Sequence, residues 1–136
     1  MLHQDFLMRM ILDLVAAMQR SFTRARGEHD PEGAAALLEV AIGEATDIDG
    51  AVLLSLSPES IVSILQVSGT EPQLIEHLSR SLLLVADYHK EAGNAALSEL
   101  REQQAYALAR AYGFDLEPSS ISPEELEELY EKTSIV

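Results

Sequence analysis

Apolar residues recur along most of the chain at three- and four-residue intervals, and no window alternates apolar and polar residues as a half-buried strand would. The pattern predicts an all-α protein of about seven helices. In the first run, residues 3–26, the side chains of Leu7, Ile11, Leu14, Val15, Met18 and Phe22 fall on one stripe. Asp5, Arg9, Asp13 and Arg20 share an opposite arc of roughly 80°. Phe6, Met8, Met10 and Leu12 fill the flanks, so this helix needs cover on more than one side. It is expected to be either the central helix of the bundle or a surface for self-association, with Phe6, Met10 and Leu14 in the contact.

Capping signals divide the rest. Asp30-Pro31-Glu32 supplies an N-cap, a proline at the first helical position and an acid in the first turn. The helix it opens runs to about Asp47, with Ala34, Leu38, Ala41, Ile42 and Ala45 on one face. A short apolar turn or helix follows from Gly50 to Leu56. Ser57-Pro58-Glu59 starts another helix with Ile61, Ile64 and Leu65 inward, closed near Gly69. Thr70-Glu71-Pro72 opens a long helix to Ala92, Gly93 ends it, and Asn94 to Tyr112 is helical until Gly113. Ser122-Pro123-Glu124-Glu125 is a capping box before a short acidic helix ending near Lys132. Residues 1–136 thus read as one helical domain, with 114–136 an acidic C-terminal extension.

Charge narrows the partners. The formal net charge is -14. Residues 1–27 carry +2, which leaves -16 for the remainder. Such a surface repels phosphate backbones, so nucleic acid is not an expected partner. The basic cluster Arg20, Arg24 and Arg26 sits where cations complement the C-terminal end of a helix. Asp5, Arg9 and Asp13 interrupt the first apolar run, which argues against a membrane span or a secretory leader and for a cytoplasmic protein. Cysteine is absent, so thiolate metal sites, disulfides and a thiol nucleophile are excluded.

Within 82–113, Leu82, Val85 and Ala86 on one helix, Gly93 in the turn, and Ser98 and Ala105 on the next match the packing positions of a tetratricopeptide repeat. The segment therefore resembles a degenerate tetratricopeptide hairpin, although His89, Glu102 and Arg110 depart from the motif and its 34-residue period does not recur cleanly. The opening QDFLMRMILDLV, the alanine-rich helix and the acidic tail also resemble a family of small bacterial helical proteins of unknown function. These resemblances imply a bundle that binds a protein or peptide and supply no catalytic residues.

Candidate chemistry is sparse. Asp47-Ile48-Asp49-Gly50 looks like the middle of a calcium loop, but the register places Ala45 and Leu56 at the two end ligands, so it reads as a polar connection. The four histidines form no HExxH, no ExxH and no i, i+4 pair. His77 falls on the polar side of its helix and is expected to be solvated. His89 shares the face of Leu82, Val85 and Ala86 and is expected at the core edge, hydrogen-bonded to a neighbour. Neither GxSxG, SxxK nor GxxxxGK is present. No cofactor or metal is implied. What remains is a face of the long helix: Arg80, Leu83, Leu84, Asp87 and Lys90 are the expected partner-binding residues, with Arg101 or Arg110 contributing from the next helix. The expected function is a non-catalytic interaction module, with a homodimer among its expected forms; the rival is a small-molecule-binding protein or enzyme whose site is assembled from separate helices. A protein lying on a membrane surface through residues 1–26 is disfavoured because its cations gather at one end.

Overall fold

The computed structural model describes residues 2–117, and the side chains from residue 4 onward. Among these residues there are six helices and no strand: α1 Leu2–Phe22, α2 Pro31–Thr46, α3 Gly50–Leu54, α4 Pro58–Val67, α5 Pro72–Glu91 and α6 Ala95–Tyr112. The expected seventh helix, near 123–132, lies outside the described residues. A single π-helical turn, Thr23–Gly27, continues α1 and buries Ala25.

The boundaries follow the caps. Asp30 accepts the backbone N–H of Gly33 at 2.9 Å, with Pro31 opening α2. Its carboxyl is held below the usual range by that bond and by Arg24, whose Nε lies 2.9 Å away. Asp49 accepts from the N–H groups of Ala51 and Val52 at the start of α3, and Ser57 accepts from Ser60 at the start of α4. Gly93 has φ +87°. There the N–H of Asn94 reaches the carbonyl of His89 at 2.8 Å and that of Gly93 reaches Lys90 at 3.1 Å, a paired closure that needs a left-handed residue. It reverses the chain, so α5 and α6 form a hairpin.

α5 is the central helix. It packs on α6, α2 and α1, while α3 packs on α2 and α4 on α6. Burial therefore runs around most of its circumference, from Leu74 and Ile75 through the unbroken stretch Ser81–Ala86 to Tyr88 and His89. Of the two roles expected for α1, that of central helix therefore falls to α5 instead. α1 buries a single stripe, Leu7, Ile11, Leu14, Val15 and Met18, and its cover comes from α2 and α5. Of its expected contact residues, Leu14 is inside the bundle, Met10 is partly buried, and Phe6 is 63% exposed. On α4, Ile61 and Leu65 point inward as expected, but Ile64 faces out. The hydroxyl of Tyr88 bonds Ser21 Oγ at 2.7 Å, and Phe22 meets the Tyr88 ring edge-on, fixing α1 against α5. Burial pushes the Tyr88 phenol up to about 12.

α2 and α3 meet through glycine. A Cβ on Gly43 would lie 2.7 Å from the backbone nitrogen of Gly50, and one on Gly50 would lie 2.8 Å from the carbonyl oxygen of Glu39. Both neighbours are backbone and cannot swing away. Helix propensity alone favours Gly43→Ala by roughly 1 kcal/mol, so the two effects have opposite signs. The contact is expected to win: Gly43→Ala should destabilise the protein by roughly 1–3 kcal/mol in chemical denaturation. A gain in stability would show that the two helices can separate freely.

Candidate functional site

One polar cluster joins four helices. Arg101 on α6 is 6% exposed and Gln104, one turn on, is fully buried. Their positions share a stripe with Ala105 and Leu108, so two polar side chains stand where the helix faces the core. Arg101 donates from Nε to Glu39 Oε2 at 3.0 Å and from Nη1 to the carbonyl of Leu54 at 2.8 Å and to Gln104 Oε1 at 3.3 Å. Gln104 donates from Nε2 to the carbonyls of Leu54 and Leu56 at 3.0 and 2.9 Å. The Leu54 carbonyl belongs to the end of α3, where a helix leaves acceptors unpaired, and that of Leu56 lies just beyond it. Side chains of α6 thus cap α3, with the cation on the side its dipole favours.

His89 on α5 completes the cluster, its Nε2 donating to the same Glu39 oxygen at 2.9 Å. The expected core-edge histidine with a hydrogen-bonded neighbour is what the structure shows. Its Nδ1 is buried and has no partner. Because the acceptor is a carboxylate, it is Nε2 that carries the proton of this bond.

Glu39 also belongs to the surface. It lines an open concavity of about 600 Å³ between α2 and α3, with Val40, Glu44, Ile48, Asp47 and Asp49 among the other walls. Val40 is 60% exposed. Asp47 and Asp49, the centre of the calcium-like fragment, serve as helix caps: Asp47 closes α2 in a left-handed conformation and Asp49 opens α3. Among the described residues, no three His, Asp or Glu side chains come together as a set of metal ligands.

The expected binding face of α5 is divided by the packing. Leu83 and Leu84 are buried, because α1, α2 and α6 together enclose this helix. They are therefore unavailable as the apolar half of a groove. Arg80 is partly buried and paired with Glu76 at 3.1 Å, while Asp87 and Lys90 are exposed. The pKa of the Asp87 carboxyl is raised, first by the desolvation that its packed neighbours impose and then by the charges of Glu91 and Glu102. Arg101 is likewise removed from the surface, and Arg110 is exposed beside Tyr106 in a cleft between α4 and α6. The basic cluster near the end of α1 is partly spent inside the chain, Arg24 on Asp30 and Arg26 on Glu91.

The α2–α3 concavity and its buried support were missed from sequence. Gly43 inside a helical run and Arg101 on a core stripe were the available signals, since each breaks a local preference that packing must repay. No protein-family model matches the chain, and no curated protein or solved structure is similar to it.

His77 departs from expectation as well. It is 8% exposed rather than solvated. Its Nδ1 donates to the carbonyl of Gln73 at 2.9 Å, and its Nε2 is buried without a partner. Burial holds its pKa below the ordinary value of 6.5, with Arg80 adding to the shift and the Gln73 carbonyl and Glu76 opposing it. A histidine kept neutral in the fold but free to protonate when unfolded gives the unfolded state the greater proton uptake below 6.5. Stability should therefore fall as pH drops below that value. Urea denaturation across the acidic range is expected to show a shallower fall for His77→Leu than for the wild type, and equal slopes would contradict this account.

Proposed function

We propose that this chain is a non-catalytic helical module that binds another protein or a peptide, with the concave face between α2 and α3 as its contact surface. The observation that carries the reading is Val40. It is 60% exposed, and it sits in a concavity whose walls are held by a backbone-tight glycine crossing and a buried polar cluster. Apolar surface presented on a rigid, concave support is what a docking site requires. The α5–α6 hairpin keeps the tetratricopeptide-like features of a glycine turn and the small buried residues Ser98 and Ala105. Its expected groove face is filled by the chain's own helices, so the contact surface moves to α2 and α3. Any pairing of two copies would use the N-terminal end of α1, where Phe6 is exposed.

A second reading has one specific observation in its favour. Glu39 lines the concavity and is hydrogen-bonded to a buried histidine, an arrangement that a small-molecule site or an acid–base centre could use. The two readings separate experimentally. The intact chain, used as bait in a lysate of its source cells, should capture a protein that rebinds saturably in calorimetry when both components are purified. If no captured protein rebinds, and native mass spectrometry instead shows a small molecule retained by the purified chain, the interaction reading is wrong.

A further inference from the structure

We infer that the occupant of the α2–α3 concavity is a basic segment of a partner protein, one that sets an apolar side chain on Val40 between flanking arginine or lysine residues. The inference rests on the interaction reading above and names the partner's chemistry. Four wall residues of the concavity are carboxylates, Glu39, Glu44, Asp47 and Asp49, and none is a lysine or arginine. Two of the four are already engaged within the chain. Glu39 Oε2 holds Arg101 and His89, and Asp49 Oδ1 accepts from the first turn of α3. Glu44 and Asp47 are exposed and carry no ion-pair partner among the described residues.

Spacing gives the acids a direction. Val40 and Glu44 stand one turn apart on α2 and Asp47 closes the helix just beyond, so an apolar contact is followed by acids toward the helix C-terminus. A segment lying along α2 in this direction meets valine first and carboxylates one turn beyond. A volume of about 600 Å³ is far larger than a single cation needs. The acids would set orientation and association rate, with Val40 and Ile48 supplying apolar burial. The chain as a whole, at -14, attracts the same kind of partner from a distance.

The test uses the full-length, isotope-labelled protein and a short helical peptide that carries arginines beside leucines on one face. Amide shifts are expected between Ala36 and Ala51, and the peptide with glutamate in place of arginine should give none. The double variant Glu44→Lys, Asp47→Lys should bind at least roughly tenfold more weakly. Glu99→Lys, Glu102→Lys on exposed positions of α6 makes the same change in net charge and should alter binding less than roughly twofold. Val40→Arg, a change at an exposed position that leaves the fold intact by its melting curve, should also weaken binding. Equal loss in the α6 control, shifts centred elsewhere, or spermine binding the same amides as tightly as the peptide would overturn the inference. So would a protein captured by the intact chain that binds the Glu44→Lys, Asp47→Lys variant undiminished, an outcome that leaves the interaction reading standing.

Discussion

A guanidinium removed from water must be given acceptors on most of its N–H groups, or it costs several kcal/mol. Arg101 meets this demand only where three acceptors converge: the carboxylate of Glu39 from α2, the carbonyl of Leu54 at the end of α3, and the amide of Gln104 on its own helix. Each partner is in turn committed elsewhere. Glu39 also receives His89 from α5, and the carbonyl of Leu54 also receives Gln104. The cluster therefore fixes positions rather than adding much net stability, since a buried ion pair is often no better than a well-packed apolar substitute. What it does is make the alternatives costly. Sliding α3 along α2, or rotating α6, would strand a buried charge and at least two backbone carbonyls.

That constraint shapes the surface. α3 is five residues long and has little apolar area of its own with which to choose a position. The Gly43–Gly50 contact brings it onto α2, and the side chains of α6 hold its far end. Glu39 stands at the junction, part of the buried cluster through Oε2 and part of the wall of the concavity. The acidic, partly apolar face of α2 and α3 is thus backed by groups that cannot readily move. A surface of this kind needs little ordering before a contact can form, which is what the proposed docking requires.

The helices were legible in the sequence because their ends are written in local chemistry: Asp30-Pro31, Ser57-Pro58 and the left-handed Gly93 act within one turn of where they stand. The faces of α5 were not. Leu83 beside charged residues looks like a surface patch until α1, α2 and α6 are all placed around the helix, and no residue on α5 says how many neighbours it will have. His77 was misread for the same reason. The polar cluster left a signal that the expectation for Arg101 as a partner-binding residue passed over: Arg101 and Gln104 stand on the stripe of Ala105 and Leu108, and a cation there demands a buried partner. Which acid would answer it depends on packing between segments more than sixty residues apart, as Glu39 and Arg101 are.

The claim that this cluster sets the arrangement of four helices is tested most directly by a double-mutant cycle on Glu39 and Arg101. Stabilities of the wild type, Glu39→Gln, Arg101→Met and the double variant would be measured by chemical denaturation. The account predicts that Arg101→Met alone costs roughly 2 kcal/mol or more, because it takes the cation from the partly buried Glu39 carboxylate, which keeps only His89, and removes one of the two donors to the Leu54 carbonyl. It also predicts a coupling energy of at least roughly 1.5 kcal/mol between the two sites. Additive losses, within roughly 0.5 kcal/mol, would mean that the two residues act independently and that the helices are positioned by apolar packing alone.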